Sequence, residues 1–160
     1  MTPCDVEPWK HLLGEGTSHR ESGRGVRFVP KAGERAWFFR SDSQEFRSHF
    51  GNVQSCDAVF LIETAERRKL IFIELKGRRF EDAVDQLAET FIAVRGKLPP
   101  ECRQSTELEA VAVTGGGTPE KEARKAQEVF LKRTGRRLQR KSIPQGNTCD
   151  LRELLRAPGS

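Results

Sequence analysis

The chain has no tyrosine, one methionine, three histidines and four cysteines in 160 residues. Each shortage removes a class of chemistry. Without Tyr there is no phenolic nucleophile or acid. His11, His19 and His49 are too scattered for an HExxH-type metal helix or a histidine-metal nuclease motif. Cys4, Cys56, Cys102 and Cys149 form no CxxC pair, which argues against a zinc ribbon or a thioredoxin-type site. Isolated cysteines with no signal peptide ahead of them read as reduced thiols, buried as small hydrophobes, in a cytoplasmic protein. No apolar stretch approaches the ~18 residues of a membrane helix, so no membrane partner is expected. Carboxylates, Lys and Gln remain for catalysis, with a hard metal as their natural helper.

What is present suffices for a single core. Apolar residues make up 36% and include ten Phe, against 32% charged residues. That composition and length fit one domain spanning residues 1–160. The formal net charge is +5, and it is unevenly spread. Residues 119–141 hold nine basic side chains (Lys121, Arg124, Lys125, Lys132, Arg133, Arg136, Arg137, Arg140, Lys141) against Glu120, Glu122 and Glu128, so this stretch carries +6 and the rest −1. Two readings are open: an electrostatic footprint for a phosphate backbone, or a solvated helix face followed by a charged edge strand.

The chain order suggests an α/β domain. A short helix is expected over residues 6–13 and a Gly/Ser/Arg-rich loop over 14–25. Strands are expected over 26–30 and 35–40, around a turn at 31–34. Ser41 or Ser43 suits the cap of a short helix ending at Phe50. Residues 57–63 (DAVFLIE) and 70–76 (LIFIELK) read as a hairpin about a polar turn. Phe80, Ala83, Val84, Leu87, Ala88, Phe91 and Ile92 recur at helical spacing, so residues 80–95 form an amphipathic helix that Gly96 ends. Residues 107–114 read as a buried strand. Thr118 and Pro119 suit the cap and first turn of a basic helix to Thr134, which Gly135 stops. An edge strand over 137–143 and a short helix over 151–155 complete the chain. The passage from strand 70–76 through the helix to strand 107–114 calls for parallel strands. The expected architecture is therefore a mixed central sheet flanked by helices.

Alternation along the second hairpin strand sets Ile71, Ile73 and Leu75 on one face and Phe72, Glu74 and Lys76 on the other. Two ionisable groups thus close an otherwise apolar face, a costly arrangement unless they are satisfied or used. Asp57 and Lys76 are nearly equidistant from the turn at Glu66, so Asp57, Glu74 and Lys76 can meet at one end of the sheet. Two carboxylates there suit Mg²⁺ or Mn²⁺, and a neighbouring Lys can orient water or neutralise developing charge. Gln86 lies on the flank of the following helix, within reach of that end. The bland readings are a strand-start cap for Asp57 and an ordinary exposed residue for Gln86.

Asp57, then Glu74-Leu75-Lys76-Gly77 closing an apolar strand, then Gln86 in the next helix, resembles the PD-(D/E)xK nuclease superfamily. The likeness covers roughly residues 35–114 and is strongest over 56–87. It implies an αβββαβ core of the restriction-endonuclease and resolvase type. It also implies metal-dependent cleavage of nucleic acid, most typically DNA. On that likeness Asp57 and Glu74 bind Mg²⁺ or Mn²⁺ with the carbonyl of Leu75, Lys76 assists the water, and Gln86 supports the site. Cys56 stands where many members carry Pro. The missing Tyr argues against the exonuclease-like branches that use one. Some members add a Glu from the first helix, for which Glu7 and Glu45 are both candidates. Nucleic-acid contacts are expected from Arg78 and Arg79, and from Lys121, Arg124, Lys125, Arg136 and Arg137. A homodimer or a partner protein is the usual device by which so small a domain selects its substrate. The competing readings are a catalytically inactive nuclease-like module that binds nucleic acid or protein, and an RNA-cleaving enzyme.

Weaker signals are residues 115–117 (three Gly), able to cradle a phosphate but lacking the Lys-Ser/Thr of a nucleotide-binding loop. Trp9 and Trp37 suit either base stacking or the core.

Overall fold

The computed structural model describes residues 7–21, 23–51, 54–76, 80–115 and 119–155, apart from the side chains of Glu7, Pro8 and Lys76. In chain order the elements are a 3₁₀ helix (Glu7–Leu12), strands β1 (Ser18–Glu21), β2 (Arg24–Arg27) and β3 (Arg35–Phe39), and helix α1 (Gln44–His49). Strands β4 (Ala58–Glu63) and β5 (Arg68–Lys76) follow, then helices α2 (Phe80–Lys97) and α3 (Pro100–Ser105) and strand β6 (Glu107–Thr114). Helix α4 (Glu120–Thr134), strands β7 (Leu138–Ser142) and β8 (Thr148–Asp150), and helix α5 (Arg152–Leu155) end the chain.

The main sheet has the order β3-β4-β5-β6-β7, antiparallel from β3 to β5 and parallel from β5 to β7. The expected mixed α/β architecture is therefore present. β4 and β5 read as near-continuous apolar runs because both of their faces are covered. On one face Val59, Leu61 and Phe72 join Leu87, Phe91, Ala126 and Phe130 of the two long helices. Successive crossovers β5-α2-β6 and β6-α4-β7 step across the sheet in one direction, and a common hand keeps both helices on that face. On the other face Phe60, Ile71, Ile73, Val111 and Val113 meet Val26, Phe28, Cys149 and Leu151 from a second, three-stranded sheet of order β1-β2-β8. Each fully buried Leu, Ile or Phe contributes roughly 1.5–3 kcal/mol, so these two layers hold the strands rigidly from both sides.

Several expectations are corrected. Residues 14–25 are not a single loop: they contain β1 and the start of β2, which spans 24–27 rather than 26–30. β2 and β3 do not pair across the 31–34 turn; β2 pairs β1 antiparallel and β8 in parallel. Gly96 does not end α2, which runs on to Lys97, and α3 follows unannounced. Pro119 occupies the N-cap of α4 without a side-chain cap bond, and Thr118 lies outside the described residues. Gly135, at φ 76°, ends α4 as expected, in a left-handed conformation that Gly adopts without strain. Cys102 is disulfide-bonded, which corrects the reading of all four cysteines as reduced, whereas Cys56 and Cys149 are free and buried. Among the described residues no helix is long and apolar enough to cross a membrane.

Candidate active site

The register of the β4–β5 hairpin pairs Ala58 with Ile73, so Asp57, one residue before β4, stands opposite Glu74. The two residues interlock. The Asp57 backbone N–H donates to Glu74 Oε1 at 3.1 Å, and the Leu75 backbone N–H donates to Asp57 Oδ2 at 2.7 Å. A carboxylate thus replaces the peptide carbonyl that would continue the ladder, and β4 ends as a paired strand where the carboxylates begin. Glu74 is fully buried and Asp57 half-buried. Phe72 and Val59 belong to the helix-side cluster, so by alternation Glu74 and Asp57 face α2.

Gln86 completes the constellation. With its amide oriented as the hydrogen-bond network requires, its nitrogen donates to both carboxylate oxygens of Glu74. The flank of α2 thus reaches the pair, as its position in the sequence allows, and Gln86 is not the ordinary exposed residue of the bland reading. The structure therefore brings Asp57, Glu74 and Gln86 together at one sheet end. Leu75 shares that end: in a strand the N–H and C=O of one residue point the same way, so its carbonyl faces the edge that its N–H offers to Asp57. Lys76 is the last residue of β5, paired with Thr114. Its side chain, together with Gly77, Arg78 and Arg79, lies outside the described residues. Glu45 is exposed on α1 and makes no hydrogen bond to the pair among the described residues, and the side chain of Glu7 is outside them.

Three positioning groups escaped the sequence reading. Thr90 Oγ1 accepts the Cys56 N–H at 2.9 Å and donates to the Gln86 carbonyl at 2.8 Å. Ser41 Oγ donates to the Cys56 carbonyl at 2.6 Å. The Glu89 carboxylate accepts the Gln54 N–H at 3.1 Å. The peptide units around Cys56 are thus fixed from α2 and from the turn before α1, and Asp57 is fixed with them. The available signal was a Thr four residues after Gln86 on the apolar side of α2. Cys56 itself is a neutral packing residue: burial, with the Glu74 carboxylate beside it, pushes its thiol up to about 12.

The basic segment divides. α4 starts just past the end of β6, so Lys121, Arg124 and Lys125 line the exposed side of its first half, nearer the carboxylate end. Arg136 and Arg137 precede Leu138, which pairs with Ala110. That is four residues back from Thr114, about 13 Å at strand spacing. Three of the nine cations are answered by carboxylates: Arg133 by Asp85 at 3.5 Å, Arg140 by Glu120 at 3.0 Å and Lys141 by Glu153 at 2.9 Å. Trp9 packs edge-on against Phe39 and Phe50, a core role rather than a base-stacking one.

The donor set fits a small hard cation. Among the described residues no three His, Cys, Asp or Glu side chains converge into a ready-made cage. Mg²⁺ asks for less: one or two carboxylates, with waters and substrate phosphate oxygens filling the rest. No family model, curated protein or solved structure matches the chain.

Proposed function

We propose that this protein is a divalent-metal-dependent nuclease that hydrolyses phosphodiester bonds in DNA. The observation that carries this reading is the interlocked Asp57–Glu74 pair at the sheet end, with the Gln86 amide on Glu74. Two acidic groups cross-bonded through backbone N–H donors and aimed at a helix flank supply the oxygen donors that a small hard cation takes. Asp57 and Glu74, with the Leu75 carbonyl, would hold Mg²⁺ or Mn²⁺. Bound there, the ion would polarise the phosphodiester and lower the pKa of an attacking water. Gln86 fixes the Glu74 carboxylate so that one orientation is presented. Lys76, two residues beyond Glu74 at the end of β5, is assigned to orient the water and to neutralise charge that develops on the phosphate. Lys121, Arg124 and Lys125 are assigned to hold backbone phosphates on the approach.

The test is a panel of single-stranded, duplex and branched DNA and of RNA, with Mn²⁺, Mg²⁺ or EDTA, on wild type and Lys76→Ala. Metal-dependent cleavage that Lys76→Ala abolishes without lowering the melting temperature is the expected result. Intact substrate in every lane would sink the proposal, and cleavage confined to RNA would replace its substrate. The complete burial of Glu74 favours one other reading, a non-catalytic nucleic-acid-binding module. That reading predicts salt-sensitive binding, no cleavage, and no loss of binding in Glu74→Ala.

A further inference from the structure

Strand β2 turns alternate residues inward, and Val26 and Phe28 take their places in the apolar layer beneath the main sheet. Arg24 occupies the third inward position and is only 8% exposed. A buried guanidinium normally has a carboxylate against it. Arg24 has none within ion-pair distance among the described residues; its Nε donates to the Ile143 carbonyl at 3.1 Å. That bond uses one of five donors and leaves the Nη edge of the fork.

The direction of that edge is informative. The fork lies over Gly115, where a Cβ would overlap Nη2. Gly115 is exposed and Arg24 keeps 8% of its surface, so the guanidinium lies directly beneath an exposed backbone position. Gly115 follows Thr114, the partner of Lys76 at the end of β5. Glu74 pairs with Ala112, three residues before Gly115, so the fork lies about 10 Å further along and one strand over, and it reaches this sheet end from the layer opposite α2. Ala at Gly115 would have to displace the guanidinium, which gives the glycine a steric reason independent of loop flexibility.

We propose that Arg24 grips a backbone phosphate of the substrate at this sheet end, its Nη donors meeting the non-bridging oxygens of a phosphate that flanks the one at the Asp57–Glu74 pair. The assignment rests on the nuclease reading above and adds to it the group that holds the flanking phosphate. A planar fork suits a phosphate bidentately, and partial desolvation strengthens each of its hydrogen bonds. The carboxylates attract a cation and Arg24 an anion, so this sheet end offers partners to a metal-bound phosphodiester and to the phosphate that flanks it.

The experiment is fluorescence anisotropy with labelled duplex and single-stranded DNA over a salt series, with Ca²⁺ replacing Mg²⁺ so that binding is read without turnover. Arg24→Gln is expected to weaken binding about tenfold and to lower the slope of log K against log salt by about one. Arg24→Lys restores the slope but not the full affinity, because an ammonium lacks the fork. Gly115→Ala keeps the charge, displaces the guanidinium and weakens binding to a similar degree; it decides the matter if Arg24→Gln does not fold. Unchanged affinity and slope in variants that melt like wild type overturn the assignment alone. Wild-type protein that neither binds nor cleaves any nucleic acid overturns the nuclease reading and this assignment with it.

Discussion

β5 carries buried charge at both of its ends, and the two ends handle it differently. Where the strand begins, Lys69 is 1% exposed and meets Glu109 at 2.8 Å and Glu107 at 3.6 Å, while Gln139 donates to the second Glu109 oxygen at 3.1 Å. Beside it, Glu63 is bridged by Arg35 at 2.9 Å and Arg68 at 3.1 Å. Arg152 forks onto Glu34 and lies over the Phe28 ring. There charge answers charge. Where the strand finishes, backbone N–H groups and the Gln86 amide orient the carboxylates of Asp57 and Glu74. Arg24, nearby, rests on a carbonyl. In the first arrangement Glu34, Glu63 and Glu109 each meet a cation of the chain. The second holds its carboxylates in one orientation through backbone and amide donors, which is what the proposed metal site requires.

This contrast can be broken experimentally. Asp57→Asn keeps an oxygen for the Leu75 N–H but removes the charge; cleavage is expected to fall about 10²–10³-fold with little change in melting temperature. A parallel loss of fold would show the pair to be a structural lock. Lys69→Met should do the reverse. It strands a partly buried Glu109 and should cost about 3 kcal/mol in urea unfolding, while kcat below the melting transition stays at the wild-type value. Thr90→Val leaves the buried Cys56 N–H without its acceptor, at a cost of about 1–2 kcal/mol. Because it also loosens the residue before Asp57, it should lower kcat several-fold with KM unchanged, a combination that Lys69→Met does not give.

The smallest effect is at Glu34, whose carboxyl the Arg152 hydrogen bond holds down at about 2. A depressed carboxylate stabilises the fold above its unfolded pKa, near 4.5, and that contribution fades as pH falls through 2. The gap in melting temperature between wild type and Glu34→Gln should therefore be constant above about pH 5 and close between about pH 4.5 and 2. A gap that persists unchanged at pH 2 would contradict the ion-pair assignment.

The parts of the fold legible in the sequence are those where one local signal decides. The alternation of Ile71, Phe72, Ile73 and Leu75 sorts into two opposite clusters as expected, and the 57–74 hairpin relation follows from counting about the turn. The second sheet was hidden because its strands are three or four residues long and rich in Gly, Ser and Arg. Its β2–β8 pairing joins Gly25 to Thr148, a contact no local pattern announces. The burial of Arg24 was hidden for the same reason. Gly96 was misread because a helix-ending residue by propensity is overridden when packing carries the helix past it. The basic run was legible as composition but not as a surface: the turn from α4 into β7 folds one sequence segment back along the sheet.

The Leu75 amide has a consequence of its own. Its proton is shared with Asp57 rather than with a neighbouring strand, so the last rung of the hairpin is a charge-assisted bond. Any cation that draws the carboxylate toward itself must weaken that rung. Leu75 is thereby a spectator that reports on its neighbour: its amide chemical shift and exchange rate should respond when Mg²⁺ or Mn²⁺ is added, without a label and without a substrate. Occupancy of the edge and fraying of the hairpin become two readings of one equilibrium.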